Sequence, residues 1–237
     1  MPITINGDGT VTGITAGGLP DNIITNAEMA DDSVDSADIA DGAVDLAHLS
    51  ATGSKSSSTY LRGDNTWATL PSSGKVLQMI QTTKKDVESI SVSQVSYESL
   101  DFTASITPTS ASNKIRFQAV LNIAQSTSHF IGVQVYRSIN GGAAAALTGY
   151  QGNTNGNRTE ISQAVSMNPA TQYRVMALDY IDDISSWTSG AISYSIYGHH
   201  GEHAGSVTMY INRGGSDSDH SQNASPMSSI TLTEISA

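Results

Sequence analysis

From residue 75 onward, apolar and polar side chains alternate in short runs. In Lys114-Ile115-Arg116-Phe117-Gln118-Ala119-Val120-Leu121-Asn122-Ile123, the residues Ile115, Phe117, Ala119, Leu121 and Ile123 fall on one face, the period of a half-buried strand. Ile192, Tyr194 and Ile196 repeat the pattern, as do Val207, Met209 and Ile211. Gly, Asn and Pro clusters separate the runs and mark turns. The pattern predicts strands at Lys75–Thr83, Ser96–Ile106, Lys114–Ala124, Phe130–Arg137, Ile161–Met167, Gln172–Ile181, Ala191–Tyr197, Val207–Asn212 and Ser229–Ile235. No window carries a helical period. Strands of this number over residues 74–237 predict a mainly β fold, an antiparallel sandwich of jelly-roll type.

The first fifty residues follow another rhythm. Ile24-Thr25-Asn26-Ala27-Glu28-Met29-Ala30-Asp31 aligns with Val34-Asp35-Ser36-Ala37-Asp38-Ile39-Ala40-Asp41, and again with Val44-Asp45-Leu46-Ala47-His48-Leu49-Ser50-Ala51. The period is ten residues. Each unit opens on a β-branched residue, continues with a Thr or Asp able to cap one short helical turn, and ends with Met, Ile or Leu. Two large apolar side chains per unit cannot form a core in one chain against the entropy of ordering ten residues. Their regular recurrence calls for cover from outside, which three copies around a common axis supply. Val34, Ile39, Val44 and Leu49 are therefore predicted at the centre of a parallel homotrimeric shaft over residues 23–51, with Asp35, Asp38 and Asp45 facing water. A flexible acidic linker is the competing reading.

Residues 1–22 hold Ile3-Thr4-Ile5 and Val11-Thr12-Gly13-Ile14 around Asn6-Gly7-Asp8-Gly9. Two short strands and a tight turn predict an N-terminal β cap or docking element. Residues 52–73, rich in Ser at first, are expected as a linker, with Tyr60, Leu61 and Trp67 in a compact loop. Arg62-Gly63-Asp64 matches an integrin-binding triplet, a match short enough to arise by chance.

Charge sharpens the division. The chain of 237 residues carries a net charge of −11, and all 11 Lys and Arg lie beyond residue 54. An acidic shaft repels nucleic acid, and no basic stripe offers phosphate contacts. The N-terminus lacks the basic region and long apolar run of a secretory leader. No stretch approaches the ~20 apolar residues that span a bilayer, so membrane insertion is not expected. There is no cysteine, hence no disulfide or thiolate chemistry.

In order along the chain, several motifs carry a family resemblance. Val34-Asp35-Ser36-Ala37-Asp38-Ile39-Ala40-Asp41-Gly42-Ala43 resembles the decapeptide arrays of bacteriophage tail-fibre and virion proteins, especially those of marine and cyanobacterial phages. Tyr60-Leu61-Arg62-Gly63-Asp64-Asn65-Thr66-Trp67 resembles their linker. Gly74-Lys75-Val76-Leu77-Gln78 with Ile106-Thr107-Pro108-Thr109-Ser110-Ala111-Ser112-Asn113-Lys114-Ile115 resembles the start of their C-terminal domain. Tyr210-Ile211-Asn212-Arg213 followed by Ser229-Ile230-Thr231-Leu232-Thr233-Glu234-Ile235 resembles its end. The resemblance implies a trimeric virion fibre located on tail or capsid and attaching to a host surface. Residues 130–190 match none of these motifs.

Candidate chemistry is sparse. His199, His200 and His203 with Glu202 are a weak candidate metal site, expected instead to be a solvent-exposed hairpin tip. Asp179, Asp182 and Asp183 beside Tyr180 and Trp187 are candidate glycosidase carboxylates, but adjacent positions do not give the ~5–10 Å separation across a sugar. No Gly-x-Ser-x-Gly elbow and no phosphate loop appears. The expectation is a protein that is not an enzyme and uses no cofactor or metal. Tyr150, Asn153, Asn155 and Trp187, aromatic faces beside hydrogen-bonding groups, are the expected contacts to a surface glycan or protein. The alternatives are a capsid-decorating head fibre or connector with a purely structural role, and a glycan depolymerase.

Overall fold

The computed structural model describes residues 29, 31, 33–35, 37–44, 48, 51–71, 73–93, 96–153, 156, 159–166, 172, 174–201, 205–215 and 224–237. The expected N-terminal cap over 1–22, and the side chains of Asp45, Leu49, Asn155, Glu202 and His203, lie outside the described residues. Contacts divide the chain into two compact units, Met1–Leu70 and Pro71–Ala237; the sequence placed the division at 73/74.

In the first unit, one decapeptide shows how the repeat is built. Asp38 N donates to Asp35 O (3.1 Å), closing a turn. Asp35 Oδ1 accepts from Ala37 N (2.7 Å) and Asp38 Oδ2 accepts from Asp35 N (3.0 Å). This reciprocal arrangement is a capping box on a single turn. Gly42, at φ +80°, follows it, and Ala43 N donates to Ala40 O (2.9 Å). Asp35 and Asp38 face water. Val34, Ile39 and Val44 are 50%, 41% and 52% exposed, so their own chain does not cover them.

The stretch expected as linker is ordered into a hairpin. Strands β1 (Thr59–Leu61) and β2 (Trp67–Thr69) pair antiparallel, with Leu61 opposite Trp67. The Arg62–Thr66 turn is held by Asp64 Oδ1, which accepts from Thr66 Oγ1 (2.6 Å) and Thr66 N (3.2 Å). Asn65 supplies the positive φ, +62°, that such a turn favours. The Arg62-Gly63-Asp64 triplet is thus the tip of this hairpin. The Thr, Tyr, Leu and Trp around a Gly-Asp-Asn turn explain a hairpin where Ser-rich composition suggested only linker.

The second unit is a β-sandwich. Its strands are β3 (Val76–Lys84), β4 (Glu88–Ser93), β5 (Glu98–Ile106), β6 (Lys114–Gln125), β7 (Phe130–Ile139), β8 (Ala145–Ala146), β9 (Gln163–Ser166), β10 (Arg174–Asp183), β11 (Ile192–His200), β12 (Ser206–Ile211) and β13 (Ser228–Ile235). One sheet runs β3-β13-β6-β12-β4, with β10 on the other side of β6; the second runs β5-β11-β7-β8, with β9 also on β7. All of these pairings are antiparallel. Successive long strands fall in alternate sheets, the interleaved winding of a jelly roll.

Alternation places the core. Ile115, Phe117, Leu121 and Ile123 of β6, with Ile230 and Leu232 of β13, face Leu100, Phe102, Ile131, Val133, Ile192, Tyr194 and Ile196 of the other sheet; all are at most 2% exposed. The nine strands read from the sequence are all present. The added β4 carries only Ile90 and Val92 as apolar alternates, too short a pattern to separate from loop.

Two buried polar ties shape this unit. At the bend between β3 and β4, Asn212 is fully buried in the left-handed region, φ +58°. Its Nδ2 donates to Lys84 O (2.8 Å) and Asp86 O (3.0 Å), and its Oδ1 accepts from Ser228 Oγ (2.6 Å). It thereby pins the bend to the start of β13. At one end, Glu234 is fully buried and accepts from Gln78 Nε2 (2.6 Å), Thr109 N (2.7 Å), Thr109 Oγ1 (2.8 Å) and Asn113 Nδ2 (2.6 Å). Burial pushes its pKa up, but the four donors outweigh burial and hold the carboxyl below its ordinary 4.5.

Glu234→Ala removes the acceptor of four donors, so urea denaturation should report a loss of about 3 kcal/mol. A depressed pKa means the carboxylate's contribution is complete above pH 4.5 and is lost as pH falls through the folded value. Wild-type stability should therefore decline below pH 4.5 more steeply than that of Glu234→Gln.

Candidate functional site

One concave site stands out in the sandwich. The edge strand β10 of one sheet and the edge strand β8 of the other leave a gap, and the segment from Ala143 through the single 3-10 turn Thr148–Tyr150 closes over it. The resulting cleft has a volume of about 450 Å³, within the range of small-ligand sites. Arg137, Tyr180 and Asp182 bring the polar chemistry, and Ala143, Ala145, Ala146 and Gly149 leave the space open.

Strand periodicity places each polar group. Arg137 lies on the inward face of β7 and Asp182 on the inward face of β10. Arg137 Nη1 donates to Asp182 Oδ1 (2.9 Å) and Oδ2 (2.7 Å), and to Asp183 O (3.3 Å). Tyr194 Oη donates to Asp182 Oδ2 (2.6 Å). Burial, together with the Asp182 carboxylate beside it, pushes the Tyr194 phenol well above its ordinary pKa, so it stays a donor. The triad joins the two sheets through the interior, where a paired charge is tolerated and an unpaired one is costly.

Tyr180 lines the cleft and Tyr150 packs against it. Their rings stack at 4.8 Å and 16°, and Tyr150 Oη accepts from Asp179 N (3.0 Å). Tyr150 thus closes the gap between the sheets as well as standing beside the cleft. Trp187, in the turn after β10, is half-buried against the core and donates from Nε1 to Gly190 O (2.9 Å). Asn153 is exposed. Neither Tyr150 nor Trp187 lines the cleft; Tyr150 reaches it only through Tyr180, on whose ring it stacks. The β10–β11 turn that carries Trp187 also lies at the end where Gly74 and Lys75 enter the unit, as shown by Gly74 N donating to Ser236 O (2.8 Å). The 126–129 loop and Gly201 lie at the opposite end.

The three acidic candidates part company. Asp182 faces inward and is 3% exposed. Asp179 and Asp183 face outward, where Arg116 holds Asp179 (Nε 2.9 Å, Nη2 2.5 Å) and Lys114 holds Asp183 (2.6 Å). The Arg116 bond keeps Asp179 below the ordinary carboxylate range. Lys114 and the amide of Ser185 bring Asp183 down to about 2. Asp179 and Asp183 are therefore ionised, whereas a glycosidase acid needs a raised pKa.

The histidine segment is not the expected exposed tip. Strand β11 continues to His200 because His199 and His200 pair with Gly132 and Ile131 of β7. They are 3% and 0% exposed and point to opposite faces. His200 Nε2 lies 3.0 Å from Gly205 O, while His199 packs against Tyr97 with ring centroids 5.0 Å apart. Among the described residues no group of three His, Cys, Asp or Glu is arranged to hold a metal, and no helix is long and apolar enough to cross a membrane.

No protein-family model matches the chain, and no curated protein matches it. Among solved structures, it is similar to a chain of infectious bursal disease virus, Gx strain, at 16% identity and a TM-score of 0.37, covering 72% of this chain and 40% of that one. A T13 particle of the same virus gives 16% identity, a TM-score of 0.38 and coverage of 72% and 38%. Its VP2 subviral particle gives 13% identity and a TM-score of 0.33. This chain spans about 40% of the length of the chains it matches. At these scores the likeness is one of partial β architecture.

Sequence reasoning missed Arg137 and Tyr194. Alternation did place Tyr194 in the core; the signal for Arg137 was its inward register on β7, a charge on an otherwise apolar face. Asp182→Asn should cost about 3 kcal/mol in urea denaturation, the order expected when one partner of a buried pair is removed. Lys114→Ala, which breaks only an exposed pair, should cost under about 1 kcal/mol.

Proposed function

We propose that the protein is a trimeric bacteriophage virion fibre whose β-sandwich head attaches the particle to a host surface. One observation carries the trimer. Val34, Ile39 and Val44 recur every five residues and are exposed in their own chain; a threefold bundle covers them, and the capping box of Asp35 and Asp38 leaves the carboxylates outward. The order of the fibre-like motifs along the sequence supports the virion reading. On this reading the N-terminal segment binds other virion proteins, and the particle surface is where the protein resides.

The head acts by adhesion, without catalysis, cofactor or metal. The cleft beside Tyr180, with Arg137 and Asp182, offers an aromatic face and hydrogen-bonding groups, the pairing that suits a sugar. Tyr150, Asn153, Asn155 and Trp187 are retained as candidate contacts, with Tyr150 nearest the cleft. Three heads on one fibre raise the effective concentration, so weak single contacts suffice. A purely structural role as a capsid-decorating fibre or connector is the second reading. It is favoured by the internal bonds of Tyr150 and Trp187, which fix these rings to the fold.

Two measurements on the full-length chain test the proposal. Light scattering should give three times 24.8 kDa, and a stable monomer would contradict the trimer. Glycan-array binding by the trimer should weaken at least ~10-fold in Tyr180→Ala, because aromatic contacts anchor such sites. If wild type binds no glycan or host surface, the structural reading replaces adhesion.

A further inference from the structure

The exposed aliphatic side chains of the sandwich are distributed on one side only. Among the described residues of the second unit, the large hydrophobics exposed beyond 40% are Val76, Leu77, Met79, Val87, Val120, Val175, Ile181 and Met227. Every one lies on the β3-β13-β6-β12-β4/β10 sheet or in a segment flanking its strands. The outer face of the other sheet is polar and aromatic rather than aliphatic: Thr103 bonds Ser195 (2.7 Å) and Ser105 bonds Ser193 (2.8 Å) across β5 and β11, and the half-buried Tyr136 and Tyr197 stack with ring centroids 3.9 Å apart.

Register turns this distribution into a surface. Met79 lies opposite Thr233, Thr233 opposite Arg116, and Arg116 opposite Ile181. One row thus crosses four strands with an exposed aliphatic at each end, 69% and 54% exposed. Two residues further along β6, Gln81, Thr231, Gln118 and Asp179 form the next row, and Thr83, Ser229, Val120 and Ala177 the one after. Val175, 61% exposed, continues the face beside Asn122. The charges on this face are matched within the chain, Arg116 with Asp179 and Lys114 with Asp183.

We infer that this outer sheet face is the surface through which three heads pack on one another, its partner being two further copies of this chain. The inference rests on the trimer reading above. Three arguments select the occupant. The repeats, packed in parallel, hold three identical heads at high effective concentration. A face whose charges are already paired, Arg116 with Asp179 and Lys114 with Asp183, meets its own copies without repulsion. The exposed aliphatics also begin within the first strand after the Pro71 boundary, at Val76, Leu77 and Met79. Exposed aliphatics collected around one sheet face, with paired charges and uncharged polar groups between them, suit an interface between copies.

The absence of native cysteine makes the test clean. Single variants Val175→Cys, Ile181→Cys and, as reference, Thr103→Cys are made in the full-length chain, their masses are measured by light scattering, and labelling by a maleimide is timed before and after unfolding in urea. The expected result is trimeric mass with residues 175 and 181 labelled at least ~10-fold more slowly than 103, as for groups in the desolvated centre of an interface, and equal rates once unfolded. Trimeric mass with all three labelled alike would overturn the inference and leave the trimer standing. Monomeric mass in wild type would overturn the trimer and this face together.

Discussion

Aliphatic side chains must be covered, and this chain carries them at two spacings that demand different cover. Over residues 114–123 the spacing is two, which gives a sheet one apolar face. A second sheet from the same chain closes over it, and Ile115, Phe117, Leu121 and Ile123 are almost wholly buried. Over residues 34–44 the spacing is five, on turns too short to fold back on themselves. There Val34, Ile39 and Val44 stay exposed. The hydrophobic effect is the same in both units at about 25 cal/mol per Å²; what differs is whether one chain can supply both surfaces.

Within the sandwich, buried polar groups determine how the covered layers are joined. Glu234 collects donors from β3, the β5–β6 loop and Asn113. Asp182 ties β10 to β7 and β11 through Arg137 and Tyr194. Both carboxylates are satisfied, which is the condition for retaining a charge in a low-dielectric interior. The second tie also frames the cleft: Arg137 and Asp182 form its wall because they form the bridge between the sheets. A ligand there meets side chains already fixed by the fold, which is the preorganisation that binding favours.

The sandwich was legible in the sequence because its signal is local. Lys114–Ala124 was read from alternation and is a strand of Lys114–Gln125. His199 and His200 were misplaced because a strand's end is set by its neighbour, here Gly132 and Ile131 of β7. The bonds of Glu234 to Gln78 and Asn113 span more than 120 residues of chain, and no periodicity announces them. The segments they join, Gly74–Gln78, Ile106–Ile115 and Ser229–Ile235, meet only once the two ends of the sandwich chain are brought together. The cleft was only half legible: Tyr180, Asp182 and Asp183 were named together from the sequence, while Arg137 waited on knowing which faces of β7 and β10 meet.

In the proposed trimer, the repeat's uncovered aliphatics are buried by two more copies of the chain, in parallel and in register. Nitroxide labels at single cysteines, Asp31→Cys in one variant and Asp41→Cys in another, read this directly through pulsed dipolar spectroscopy of the full-length protein. Both positions are exposed, one decapeptide apart. A parallel threefold shaft gives each variant one narrow, short distance, and the same distance at both positions. An absence of dipolar coupling in both variants, or a short distance in only one of them, would contradict it.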